Sequence, residues 1–304
     1  MFVKKLIKLI KRSKFKFGKP EKSNFILFDC ETSKPIKYLL KDKKFYILKI
    51  RSDKIDEIYL NLSILLHILT NLFSRSLKIN YLSALLIQMN PKVIVTQYDN
   101  SLEFYQLNTI FKESNIKFIA VQGGIRTKEN MIHLRKSFYI DQYCAFSNYE
   151  KNFFKENGYI ANIFSPIGSV TSAAALDYFK TNKIDLRKEY DVCLISELIY
   201  KTDDKIDQKY LEMLEDLSLL VKNLKLKKDF NLIICGSGNE DSKISKVEKE
   251  FYEKIFGKNN FKIDQSDRNK YPSYKNILKS NLVIGVHSTL MREALGLKKK
   301  NPSL

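Results

Sequence analysis

Apolar runs of strand length alternate along this chain with longer segments whose apolar positions recur every three to four residues, and the alternation occurs twice. In the first half the pattern predicts strands over 24–29 (NFILFD), 45–50, 92–97, 117–122, 142–147 and 161–168. Helical periods fall near 58–73, 80–90, 101–115 and 148–157. The last of these opens on SNYE, where Ser147 and Glu150 form a capping box, and closes at Asn157-Gly158. In the second half strands are expected over 190–196, 230–236, 261–264 and 282–286. An amphipathic helix is expected over 206–226, with Tyr210, Met213, Leu214, Leu217, Leu220, Val221 and Leu224 on one stripe.

Two consecutive βαβ arrays imply an α/β protein with two doubly wound, parallel-sheet domains. The length of 304 residues agrees, being more than one core usually serves. The expected division is a basic amphipathic N-terminal helix over 1–20, a first domain over 21–168, a connection over 169–188 and a second domain over 189–304. The most apolar stretch, 58–73, is too short and too interrupted by polar residues to span a bilayer and reads as a buried helix.

The charge modifies this picture less than its size suggests. Lys and Arg number 53 against 34 Asp and Glu, a formal net charge of +19, which in isolation points to nucleic acid, an anionic membrane surface or phosphorylated substrates. Lys, Ile, Asn, Tyr and Phe are abundant while Trp is absent, as in AT-rich coding, where Lys is the default surface residue. Basic residues are spread over the whole chain and no nucleic-acid-binding motif stands out, so no specific nucleic-acid partner is expected. Residues 1–20 differ: Val3, Leu6, Ile7 and Ile10 share one helical face opposite Lys4, Lys5, Lys8, Lys11 and Arg12. That pattern fits a helix lying on an anionic membrane, and also an ordinary packed helix. The four cysteines lack CxxC pairing, so a reduced cytoplasm, with the protein peripheral on the inner face of the membrane, is the expected setting.

Open parallel sheets bind ligands at the carboxyl ends of their strands. Five of the expected strands run out into Gly or polar residues: QYDNS, QGGIR, SE, GSGNE and HST, all able to face one cleft between two domains. In LVIGVHSTLMREALG, Gly285 lets the backbone approach a ligand, while Ser288 and Thr289 open a helix whose amides and dipole favour phosphate. Glu293 lies on the same helix face as Thr289 and can accept from two ribose or sugar hydroxyls. Equally, Ser288 can be a plain N-cap and Glu293 a solvated residue. Gly236 and Gly238 in CGSGNE suit a diphosphate or a base approaching the backbone, with His287 beside them as a further donor-site candidate. In the first half, Asp99 and Asn100 stand where a strand gives way to a helix, either as cap residues or with Asp99 as general base. Gln122, Gly123, Gly124 and Arg126 could steer an anionic or sugar substrate. His133 follows shortly after them. No dinucleotide fingerprint, P-loop, metal-ligand spacing or nucleophile elbow occurs, and no metal or cofactor is called for.

The segment NLVIGVHSTLMREALGLKK resembles the donor domain of bacterial GT-B glycosyltransferases and their relatives in surface-polysaccharide assembly, in which a Ser-Thr-Leu-x-x-Glu-Ala helix follows the strand before the sugar-nucleotide site. NPKVIVTQYDNSLEFYQL with IKFIAVQGGIR is similar to the amino-terminal domain of surface carbohydrate biosynthesis proteins. The resemblance covers most of 24–168 and 189–300. It implies two Rossmann-like domains and metal-independent transfer from a nucleotide-sugar co-substrate held by the second domain. The saccharide or lipid-linked saccharide acceptor would lie on the first. Ser288 and Thr289 would contact phosphate and Glu293 a sugar or ribose hydroxyl. Such a donor domain normally continues past this helix, so the second domain is expected to end short. A sugar-nucleotide 2-epimerase of the same architecture, or a non-catalytic nucleic-acid-binding protein, are the competing classes.

Overall fold

Short β-branched and aromatic runs with polar exits make the strands, and the hydroxyl and amide residues before each apolar period make the helix starts. The computed structural model of the chain describes residues 14–29, 34–40, 42–49, 57–127, 138–198, 205–267 and 269–300. The chain divides into two compact units, Met1–Ser169 and Val170–Leu304. The expected helical segment 1–13 and His133 lie outside the described residues.

In the first unit the strands are β1 (Lys14–Phe17), β2 (Phe25–Phe28), β3 (Tyr46–Leu48), β4 (Glu57–Leu60), β5 (Val93–Thr96), β6 (Lys117–Val121), β7 (Tyr139–Ala145) and β8 (Ile160–Pro166). The helices are α1 (Lys34–Leu39), α2 (Leu62–Thr70), α3 (Leu77–Met89), α4 (Leu102–Ile110) and α5 (Asn148–Glu156). Six strands form one parallel sheet in the order β3-β2-β5-β6-β7-β8. Ile26, Phe28, Ile94, Phe118 and Ala120 of this sheet are buried against Leu82, Leu86, Phe104, Leu107 and Phe154 from the helices. Phe104 packs edge-on against both Phe28 and Phe118, which ties α4 to the sheet centre. Burial of aromatic side chains on this scale is the main stabilising contribution here, about 25 cal/mol for each Å² of apolar surface.

Two expectations fail in this unit. Residues 14–17, assigned from helical spacing to the N-terminal helix, are a strand: KFKF alternates with a period of two and pairs in parallel with β4. The segment 58–73 is not a buried helix. Its start is β4, and in α2 the only buried residue is Ile64. Asn61 caps α2, accepting from the Ile64 amide at 3.0 Å, and His67 Nε2 meets Ser83 Oγ of α3 at 2.9 Å. Burial, and after it the Arg75 charge, lower the His67 pKa below its ordinary 6.5. Neutral His67 therefore stabilises this helix pair fully above that value, and the contribution is lost as the pH falls through the lower folded-state pKa. Thermal melts at about pH 7.5 and 5.5 should show a smaller acid-induced drop in His67→Gln than in the unaltered chain. Equal drops would remove His67 as the cause.

The second unit holds α6 (Val170–Thr181), β9 (Tyr190–Ile195), α7 (Lys205–Lys227), β10 (Leu232–Cys235), α8 (Lys243–Phe256), β11 (Lys262–Asp264), α9 (Pro272–Lys279), β12 (Ser280–Ile284) and α10 (Thr289–Lys300). The stretch taken from the sequence as a connection thus contains α6, whose Leu176 packs into this unit's core. The four strands run parallel in the order β11-β10-β9-β12. Alternate residues separate two layers. Cys193, Ile195, Ile233 and Cys235 face Ile277, Ala294 and Leu297, whereas Leu194, Leu232 and Ile234 face Val221, Tyr252 and Phe256. The sheet is covered by helices on both faces, as the doubly wound reading requires. The expected stripe on α7 is only half used: Leu214 and Val221 are buried, but Met213, Leu220 and Leu224 are exposed.

Candidate functional site

Strand order fixes where a ligand crevice opens, because adjacent strands whose connections leave in opposite directions part at their carboxyl ends. In the first unit that point lies between β2 and β5, and in the second between β9 and β12.

At the first, β2 ends on Asp29, which holds a left-handed backbone (φ 54°), a conformation Asp tolerates at some strain. The exit of β5 supplies Asp99 and Asn100. Asn100 is exposed, but Asp99 is 0% exposed and fully engaged. Its carboxylate accepts from the Gly123 amide (3.0 Å), Arg126 Nε (2.9 Å) and Tyr143 hydroxyl (2.6 Å), and pairs again with Arg126 Nη2. Burial, then the Asp99 charge, hold the Tyr143 pKa well above that of an ordinary tyrosine, so its hydroxyl remains a donor. Burial opposes the Arg126 charge, and Asp99 more than restores it. A carboxylate whose oxygens serve four donors has no lone pair left for an acceptor proton. The general-base reading of Asp99 therefore gives way to a bracing one.

Gln122, 1% exposed, braces likewise. Its amide nitrogen donates to the Gly124 carbonyl (2.9 Å) and its oxygen accepts from the Phe146 amide (2.9 Å). A Cβ at Gly123 would collide with the Gln97 carbonyl, so glycine is needed there by the neighbouring strand exit. Gln122, Gly123, Gly124 and Arg126 are thus brought together around Asp99 as one rigid rim, and Asn100 stands beside it.

In the second unit a carboxylate that the sequence did not single out does the equivalent work. Glu248 of α8 is 0% exposed and accepts from Ser196 Oγ (2.6 Å), Ser237 Oγ (2.7 Å) and the Ser237 amide (2.9 Å), with the Gly238 amide at 3.4 Å. Of the two glycines expected to approach a diphosphate, Gly238 turns its amide towards this side chain, whereas the Gly236 amide donates to the Asp264 carbonyl at 2.9 Å. A Cβ at Gly236 would meet the end of the Gln265 side chain, and one at Gly238 would meet Ser242 Oγ and the Ser245 amide. Gly285 is also filled from within, by Met291 and Ile195.

The crevice between β9 and β12 is furnished differently. Glu197 leaves β9 and accepts the His287 amide at 2.6 Å, and the His287 ring lies 5.3 Å from that of Tyr210 on α7. Ser288 caps α10, its hydroxyl accepting from the Leu290 amide at 3.3 Å. Thr289 begins the helix. Glu293, by contrast, is 9% exposed and takes the Tyr274 hydroxyl at 2.8 Å, which places it against α9. His287, Ser288 and Thr289 therefore share one crevice, to which the structure adds Glu197 and Tyr210, and Glu293 belongs to the packing beneath it. The SE exit was a visible signal for Glu197; nothing in the sequence marked Tyr210 or Glu248.

Among the described residues no group of three or more His, Cys, Asp or Glu side chains is gathered as a metal site. No helix among them is long and apolar enough to cross a membrane.

Parallel sheets flanked by helices, in two successive units, define a doubly wound α/β protein. A family model described as "putative O-antigen biosynthesis protein" matches residues 118–303, and the chain belongs to that family. No curated relative matches. Among solved structures, the chain is similar to the Methanocaldococcus jannaschii UDP-GlcNAc 2-epimerase in complex with UDP-GlcNAc and UDP. They share 16% identity over 91% of this chain and 82% of that one, with a TM-score of 0.50. It is also similar to a glycosyltransferase from Rickettsia africae ESF-5, at 14% identity over 88% and 74% of the two chains and a TM-score of 0.46. The fold is thus shared with the epimerase, in keeping with two Rossmann-like units.

Proposed function

We propose that the chain is a GT-B-type glycosyltransferase of O-antigen or related surface-carbohydrate assembly. It moves a sugar from a nucleotide-sugar donor to a saccharide or lipid-linked saccharide at the inner face of the membrane. Membership of the O-antigen biosynthesis family supports the setting. The observation that carries the donor site is the β9/β12 crevice, where the Glu197 carboxylate, the Tyr210–His287 ring pair and the start of α10 meet. The first turn of α10 offers amides and hydroxyls to the phosphate, whose negative charge grows as the glycosidic bond breaks. Glu197 Oε1, which accepts no hydrogen bond among the described residues, takes over the ribose or sugar hydroxyls that the resemblance gave to Glu293. The Tyr210 and His287 rings, tilted 34° to each other, offer aromatic faces for a base. The acceptor falls to the first unit, with Asn100 and Arg126 at its rim, and no metal is required.

A thermal-shift panel of UDP-, GDP-, CDP- and CMP-linked sugars should find one donor that raises the melting temperature, since a ligand that binds only the folded chain stabilises it. Glu197→Gln should then weaken that donor by about 1.5–3 kcal/mol, the range for a charge-assisted bond. Ser288→Ala should cost roughly 1 kcal/mol of stability as a lost cap as well as affinity. Calorimetry giving unaltered affinity in both variants would place the donor elsewhere. Release of free nucleotide only when an acceptor is present supports transfer; interconversion of the sugar without an acceptor would make the chain an epimerase.

A further inference from the structure

The least expected surface of the described chain is the outer face of α2. Leu62, Leu65, Leu66 and Leu69 follow one another at i, i+3, i+4 and i+7, Phe73 continues the line, and all five are exposed, from 46% at Leu65 to 99% at Phe73. The opposite face is accounted for by Ile64 and Ile68 in the core and His67 on Ser83. The stripe extends onto β1. Phe17, 83% exposed, pairs with Leu60 just before α2, and the next carbonyl, of Gly18, accepts from Asn61 Nδ2 at 2.8 Å. Six large apolar side chains so aligned are unusual on a water-facing surface.

Charge says what fits against them. Lys14 and Arg75 are exposed at either end of the stripe, whereas Glu57 and Glu103, acids nearby among the described residues, are paired with Lys16 and Lys78. Residues 1–13, which precede β1 in the sequence, carry five Lys and Arg and no acid. Two copies meeting through this face would oppose like charges, which disfavours a self-complementary dimer. The side chains are aliphatic or phenyl and offer a partner no directional bond. At about 1.5 Å rise per residue, α2 is far too short to span a bilayer but long enough to lie along one.

We infer that the α2 stripe, with Phe17, is a docking surface for an anionic lipid bilayer: the leucines enter the headgroup boundary and the basic rim meets the phosphates. The inference deepens the proposed function and rests on its reading of a membrane-side acceptor, because it holds the acceptor-binding unit at the surface where a lipid-linked saccharide would be found.

The chain has no tryptophan, so a single Leu66→Trp reports on this face alone. In the full-length chain its emission should be that of a water-exposed indole. It should shift to shorter wavelength on adding vesicles rich in phosphatidylglycerol and be quenched by brominated acyl chains, but change little with phosphatidylcholine vesicles. The triple variant Leu65→Gln, Leu66→Gln, Leu69→Gln should lose about tenfold or more in partition onto the anionic vesicles. Its melting temperature should be retained, since these side chains are already in water. Blue-shifted emission before vesicles are added would mean that residues 1–13 or a second copy cover the stripe, and would overturn the inference. So would undiminished vesicle binding by the triple variant, or a partition that responds to an acidic protein but not to lipid. If no nucleotide sugar shifts the melting temperature while the vesicle result holds, the transferase reading fails and the docking surface stands.

Discussion

Asp99→Ala is expected to destabilise the first unit by about 3–5 kcal/mol, the usual consequence of stripping one partner from a buried ion pair. Arg126 would remain, its side chain 14% exposed, with no carboxylate opposite. The Gly123 amide and the Tyr143 hydroxyl would lose their acceptor as well. Against a total stability of about 5–15 kcal/mol for a typical domain, this is a large fraction. Asp99→Asn should also be costly, because the new amide nitrogen faces donors whichever way it turns. Adding Arg126→Met to Asp99→Asn should recover part of the loss, since no charge is then left buried alone. Urea unfolding followed by tyrosine fluorescence would measure each variant. A general base would behave otherwise, with stability unchanged and turnover slowed, and a midpoint for Asp99→Ala equal to that of the unaltered chain would restore that role.

Glu248→Ala should have a comparable effect on the second unit, roughly 3–5 kcal/mol, by a different route. Among the described residues no cation is paired with Glu248. The cost arises because the hydroxyls of Ser196 and Ser237 and the Ser237 amide lose one shared acceptor in a closed site, and a cavity remains. Glu248→Gln keeps the volume and one acceptor oxygen and should cost about half as much. As Ser196 directly precedes Glu197, loosening it should also lower donor affinity. A Glu248→Ala protein as stable as the parent would mean that water replaces the carboxylate and that these loops are not held by it.

The sequence carries the architecture of the two main sheets well, because most of their strands are apolar runs ended by Gly or a polar residue, and this pattern survives whatever the tertiary contacts. It carried β1 badly. Lysines dominate residues 1–20, so helical spacing of four apolar residues outweighed the short KFKF alternation, which only pairing with β4 makes a strand. It misread α2, because hydrophobicity alone does not separate a core helix from one that faces outward. The sequence places Asp99 at a strand exit but hides its bracing contacts, since the four donors that occupy it come from β7 and the loop after β6. Glu248 was illegible for a related reason. On an amphipathic helix rich in Lys and Glu, nothing local separates the one carboxylate that lies beneath a loop from its solvated neighbours. Glu293 shows the converse: its spacing from Thr289 is visible in the sequence, but its carboxylate accepts from Tyr274 of α9, a contact the sequence does not reveal.

The two buried carboxylates also govern the tempo of the rims they hold. Gly123 and Ser237 sit in connecting segments, where amide protons ordinarily trade with solvent deuterium within seconds, yet each is bonded to a side chain with no access to water. Their exchange must await the opening of the surrounding unit rather than the fluctuation of a loop. The strand exits are in this sense as slow as the sheets that carry them, so a ligand arriving there finds groups already in position and loses little conformational entropy in ordering them.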